Sequence, residues 1–183
     1  MGVAVAGPYQ QGQLDGLCGI YSVVNAIALL TATGRPLGRR RSRQLFAVGL
    51  EVVAAHGDLH RAIHDGIAPD LWFAVIAAMV ADVAQQQALC LKVRRPFIEH
   101  DDVGWPDVRH AAEAALDRQA VVLVQLAGTL RHYSVLAAHT PRRFLLHDSS
   151  ALRWLDKAGC GVAPAVCRHQ FVADALVTLD VVL

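Results

Sequence analysis

Residues 120–126, Ala-Val-Val-Leu-Val-Gln-Leu, make a nearly continuous apolar run rich in valine. A strand with one wet face alternates polar and apolar side chains. A run without that alternation fits a strand covered on both faces. Strand-like runs follow at Tyr133–Ala138 and Arg142–His147, separated by Thr140-Pro141, with a short edge strand at Leu152–Leu155 and a final one at Ala175–Leu183. Upstream the pattern is mostly helical. A helix is expected from about Cys18 to near Gly34, with Pro36 marking the break, and a second from a Ser42 cap to about Ala55. A third is expected over about 69–84, opened by Pro69 and Asp70, then a short strand at Ala88–Val93 and a helix at Pro106–Leu116. Helices first and strands second read as a single α+β domain over 1–183, helical over about 13–117 and β over about 118–183.

At 183 residues, 54% hydrophobic and 18% charged, the chain suits one globular domain. A formal net charge of +1 gives no reason to expect nucleic acid or an anionic membrane as partner. Met1–Gly7 lacks the basic start and apolar run of a secretory signal, and the longest apolar run, Leu71–Ala81, is too short to span a bilayer. Cysteines at 18, 90, 160 and 167 form no close-spaced framework, so reduced thiols and a cytoplasmic location are expected. The run Arg35, Arg39, Arg40, Arg41 and Arg43 reads as a loop with a solvated face, an acidic-partner site being the alternative.

The chemistry concentrates around Cys18. A glycine-bearing polar loop, residues 11–17, leads into the helix that Cys18 opens. A thiol in a first helical turn meets unpaired N–H groups and the positive end of the macrodipole, which favour thiolate. Cys18, Ser22, Asn25 and Leu29 share one side of that helix. Far downstream, a hairpin centred on Thr140 would oppose residues whose numbers add to 280, setting His132 against Asp148 at its open end. Ser134 follows on the same strand face, and His147 points to the other. An imidazole and a carboxylate placed so are a base and the group that orients it.

Gln13-Leu-Asp-Gly-Leu-Cys18-Gly, a following helix with Asn25, then His132-Tyr-Ser-Val-Leu and Leu146-His-Asp148-Ser resemble the papain-like cysteine peptidase superfamily. The spacing from Gln13 to Cys18 is similar to that of Josephin-type deubiquitinases, and the layout to that of bacterial peptidases that trim leader peptides after a double glycine. The Asp15-Gly16-x-Cys18 string also resembles ovarian-tumour-type deubiquitinases, which makes Asp15 a minor candidate. The resemblance implies a helical lobe whose cysteine helix packs against an antiparallel sheet, and thiol hydrolase chemistry. Cys18 would be nucleophile, His132 general base, Asp148 its orienter and Gln13 the oxyanion donor, with Gln11 as runner-up. The implied substrate is a peptide or protein, such as the C-terminal tail of a ubiquitin-like or leader-bearing protein, and no cofactor or metal is called for. The same trio also serves transglutaminase, deamidase or acyltransferase chemistry, and a non-catalytic binding module on this fold is the remaining alternative.

Two other clusters compete. His56, His60 and His64, with Asp58 and Asp65, stand at helical spacing but lack a complete ligand motif. Cys160, Cys167 and His169 have no tight zinc spacing and read as a surface loop with incidental thiols.

Overall fold

The computed structural model describes residues 7–12, 15–56, 59–98, 100 and 102–182. Its architecture is α+β. Four helices, α1 (Cys18–Thr31), α2 (Arg39–Ala55), α3 (Leu59–Asp65) and α4 (Pro69–Gln87), precede β1 (Leu91–Arg94) and α5 (Trp105–Asp117). Strands β2 (Val121–Ala127), β3 (His132–His139), β4 (Arg143–Leu146), β5 (Trp154–Asp156), β6 (Cys160–Val162), β7 (His169–Phe171) and β8 (Val177–Val181) follow. The sheet runs β1-β8-β2-β3-β4-β5 in antiparallel pairs, β7 extends β2 beyond β8, and β6 joins β7 in parallel.

The unalternating run at 120–126 is the centre of this sheet, and both its faces are covered. Val121 and Leu123 join Tyr133, Val135, Val177 and Leu179 against Ile20, Val23, Val24 and Ile27 of α1. Val122, Val124 and Leu126 join Leu136, Phe144 and Phe171 against Val108, Ala112 and Ala115 of α5. Each such valine or leucine, taken fully from water, contributes about 1.5–3 kcal/mol. The two clusters are what fix α1, and Cys18 at its first turn, against the sheet. Behind α1 lie α2 and α4, with Leu45, Val53, Trp72, Val75 and Met79 in the same cluster. No single helix among the described residues is long and apolar enough to cross a membrane.

The β3–β4 hairpin departs from the expected register. Next to the turn His139 opposes Phe144 and Ala138 opposes Leu145, but further out Leu136 opposes Leu146. Ala137 is thus the extra residue of a β-bulge. Beyond it the His147 N–H donates to the Val135 carbonyl at 3.0 Å, so Asp148 falls opposite Ser134 and not opposite His132. The strand has slid by two positions from the expected pairing. Because side chains alternate with period two, that slide keeps His132, Ser134 and Asp148 on one face; without the bulge Asp148 would meet Val135 and turn away.

Other boundaries differ for local reasons. Helix α2 starts at Arg39 with Gly38 as its cap, so most of the arginine run is helical; Ser42 lies a turn inside, its hydroxyl donating to the Gly38 carbonyl at 3.3 Å. Arg41 pairs with Asp82 of α4, and Arg35 donates to the Gln87 carbonyl. Of Cys160, Cys167 and His169, expected on a surface loop, Cys160 opens β6 and His169 opens β7, and Cys160 is buried there. Helix α3 carries His60 and His64 of the segment whose histidines stand at helical spacing.

Helices α1 and α2 touch where Gly49 meets Ile20: a Cβ on Gly49 would lie 2.8 Å from Ile20 Cγ2 and 3.3 Å from Met79 Sδ. Gly49→Ala gains about 1 kcal/mol of helix propensity but overpacks this contact at a cost of about 1–3 kcal/mol. The expected outcome is a lower urea midpoint, read by circular dichroism; a midpoint raised above wild type would mean that the two helices do not meet here.

Candidate active site

Cys18 is the first residue of α1, so its N–H has no acceptor within the helix. The loop before it is held by Asp15, whose carboxylate oxygens accept the Gly12 and Leu17 N–H groups at 3.1 Å each. Asp15 therefore organises the backbone entering α1. Gly16 presses on the end of α3: its N–H donates to the Ile63 carbonyl, and a Cβ there would lie 2.7 Å from the Gly66 nitrogen. Only glycine allows that approach. Trp72 of α4 donates its indole N–H to the Gly19 carbonyl at 3.0 Å, and Tyr133 of β3 donates its hydroxyl to the Ile67 carbonyl at 2.9 Å. The first turn of α1 and the 64–67 segment are thus fastened to each other and to the sheet.

His132 opens β3 at the end of the sheet that Cys18 approaches. Its Nε2 lies 2.7 Å from Asp148 Oδ2, which leaves Nδ1 as the ring nitrogen for another partner. The Cys18 thiol borders the same cleft as that ring, and its own hydrogen bond runs to the Gly16 carbonyl at 3.8 Å. Burial alone would lower the imidazole's pKa, but the hydrogen bonds and charges of Asp148 and Cys18 outweigh it and raise it to about 9. The site therefore favours the protonated form of the His132 ring.

Asp148 is 2% exposed. Burial pushes its carboxyl up, yet the His132 and Ser134 hydrogen bonds and the Ser150 N–H hold it below the usual carboxylate range. Oδ2 accepts from His132 and from the Ser134 hydroxyl at 2.5 Å; Oδ1 accepts the N–H groups of Ser150 at 2.7 Å and Leu152 at 3.1 Å. Both oxygens are used, so the carboxylate cannot rotate away from the imidazole. Burial and then the charge of Cys18 push Tyr133's phenol up, so it stays a protonated donor.

These groups border a cleft of about 680 Å³, within the range of ligand sites. Gln11, Gly16, Cys18 and Ser150 lie along it with His132 and Tyr133; His64, Asp65, Gly66 and Ile67 form one wall, and Gln125, Ala127, Gly128 and Arg131 belong to its border as well. Arg131, immediately before His132, takes φ +41°, a left-handed backbone uncommon for a non-glycine residue. Cys18, His132 and Asp148 are therefore brought together. Gln13 lies outside the described residues. Gln11 is in the cleft, its amide N–H donating to the Asp15 carbonyl.

Sequence reasoning put Ser134 on the right face but gave it no role, although a hydroxyl two residues after a strand histidine was the signal. The 64–67 wall was read only as part of a histidine cluster. His56 ends α2, whereas His60 and His64 stack on α3 with ring centroids 4.6 Å apart, so the three share no helix. Among the described residues no group of three or more His, Cys, Asp or Glu is placed to hold a metal ion. Cys160 Sγ faces the Asp156 carbonyl, and burial, then Cys167 and Asp156, push its thiol up to about 12.

A raised His132 pKa contributes stability that is complete below 6.5 and is lost as pH rises through about 9. Asp148→Asn removes the partner that raises it. The expected outcome is that the imidazole resonance of His132 titrates well below 9 in the variant, and that the stability gap between variant and wild type closes as pH rises through about 9; an unchanged titration would show that Asp148 does not govern the ring. No protein-family model matches the chain, and neither a curated protein nor a solved structure matches it significantly.

Proposed function

We propose that the chain is a papain-like cysteine hydrolase that cleaves a peptide or isopeptide bond through a Cys18–His132–Asp148 triad. The observation that carries this reading is a thiol at a helix N-terminus bordering the same cleft as an imidazole whose far nitrogen is 2.7 Å from a carboxylate buried behind it. A merely structural histidine would need neither the cleft nor the thiol. The α+β architecture, with α1 laid on the sheet, agrees with the resemblance carried by the motifs around Cys18, His132 and Asp148.

In the mechanism, Cys18 Sγ, having passed its proton to His132 Nδ1, attacks the substrate carbonyl carbon and the carbonyl electrons move to oxygen. The oxyanion meets the Cys18 N–H and a glutamine amide; Gln13 fits the motif spacing, while Gln11 is the glutamine described in the cleft. Collapse breaks the C–N bond as His132 Nδ1–H gives its proton to the leaving amine, producing a thioester. The neutral ring then takes a proton from water, hydroxide attacks the thioester, and acid product leaves as the thiol is regenerated. Asp148, held by Ser134 and two backbone N–H groups, fixes the ring throughout. The substrate would be a flexible chain, such as the tail of a ubiquitin-like or leader-bearing protein.

Iodoacetamide at neutral pH is expected to label Cys18 ahead of the exposed Cys90, and His132→Ala to slow that labelling. Four cysteines labelled at exposure-ranked rates, with Cys90 first, would remove the nucleophile from the proposal. Replacing the oxyanion glutamine is expected to lower turnover about ten- to a thousand-fold with alkylation nearly unchanged. Gln11→Ala and Gln13→Ala, assayed side by side by mass spectrometry on peptide and glutamine substrates, identify that residue. Peptide loss marks hydrolysis; a one-dalton gain or an amine adduct would redirect the reading to deamidation or acyl transfer.

A further inference from the structure

Asn25 is fully buried, two turns along α1 from Cys18 and on the same side of the helix. A buried amide in the middle of a helix needs partners for both ends, and a hydrophobic residue would fill the position at less cost. Both of its partners lie on one residue outside the helix. Asn25 Oδ1 accepts the Tyr9 N–H at 2.7 Å, and Nδ2 donates to the Tyr9 carbonyl at 3.0 Å. The side chain thus pairs with an extended backbone as a neighbouring strand would.

The next two residues cross to the other side of the site. The Gln10 side-chain amide donates to the Asp148 carbonyl at 3.2 Å, and the Gln11 N–H donates to the Ser149 carbonyl at 2.9 Å. Gln11 then enters the cleft beside Cys18, its side chain tied to the Asp15 carbonyl. Residues 9–11 are therefore a strap clamped at one end to the helix that bears the thiol and at the other to the loop that bears the carboxylate. Among the described residues, the Asn25 clamp is what hydrogen-bonds the strap to α1, by two bonds at once.

We infer that Asn25 is a positioning residue: through Tyr9 it holds the strap that carries the Gln11 amide to the thiol, setting an oxyanion donor and the Asp148 loop in one frame. For its catalytic meaning this rests on the hydrolase reading with Gln11, rather than Gln13, as the oxyanion donor. Asn25 touches no reacting atom, so its effect should run through Gln11 and leave the thiol itself alone.

The test uses the full chain with Asn25→Ala, and with Asn25→Asp, which keeps the acceptor for Tyr9 N–H, as the variant to read if the alanine form lacks a cooperative melt. Amide hydrogen exchange is the readout independent of turnover. Tyr9 and Gln11 are expected to lose protection about ten-fold or more, while Val23 and Val24 of α1 keep theirs. Protection of Gln11 equal to wild type overturns the inference, whatever the activity. On a cleaved peptide, kcat is expected to fall about ten- to a hundred-fold, with KM and the iodoacetamide rate at Cys18 little changed. The Asn25→Ala/Gln11→Ala double variant should be no slower than Gln11→Ala alone, because both remove one donor. Additive losses, or alkylation slowed as much as turnover, also overturn it. Absence of peptide turnover in wild type would instead sink the hydrolase reading and leave the strap to be judged by exchange alone.

Discussion

A carboxylate held almost wholly out of water is the constraint from which the rest of the site follows. An unpaired charge in the position of Asp148 would cost several kcal/mol in desolvation, and the protein meets that cost by surrounding both oxygens with donors. Two of the four donors are side chains on β3 and two are backbone groups of the loop after β4. Satisfying the carboxylate therefore also fixes the imidazole, the strand that carries it, and a loop at the cleft's edge. The electrostatic consequence is reciprocal: the carboxyl is held down and the imidazole up, each because the other is charged.

The helical side is tied in by hydrogen bonds of a different kind. Indole, phenol and backbone donors from α4, β3 and the Gly16 loop end on carbonyls of Gly19, Ile67 and Ile63. Each ties a segment that borders the thiol to an element that belongs to the core. A seven-residue helix such as α3 is too short to persist by its own propensity. Its position comes from Leu59, Ala62 and Ile63 in the larger apolar cluster and from Gly16 packing against its C-terminal end.

Strongly periodic features were legible from the residues. The valine-rich centre of the sheet and the helix opened by Cys18 lie where the sequence places them, because burial on two faces and amphipathic spacing leave a direct trace. The proximity of His132 and Asp148 was also legible, but by a pairing that is off by two residues. A bulge at Ala137 has no signature in an alanine between alanine and leucine, and two strands slid by an even number keep the same faces together. Helix α3 showed only in the spacing of its histidines, a weak signal because Gly57 interrupts the pattern just before it. Ser42 is a good cap by residue type, yet the helix extends a turn further back because Arg41 reaches Asp82 on α4. Asn25 was visible as a polar residue on the Cys18 side, but its partner is a backbone, which no side-chain pattern reveals.

The position of β8 bears on how the chain acquires its structure as it is made. The last strand does not lie at an edge; it sits between β1 and β2, with Val177, Thr178 and Leu179 buried. At synthesis rates of about 5–20 residues per second, the thiol emerges on the order of ten seconds before its histidine, and β8 is made later still. Until residues 177–181 are available, β1 has no partner strand among the described residues and one side of β2 stays largely open, so α1 has only part of the surface on which it rests. The helix bearing the thiol thus reaches its final seat only once residues 177–181 have been made, and a nascent chain short of them carries a cysteine that is not yet a site.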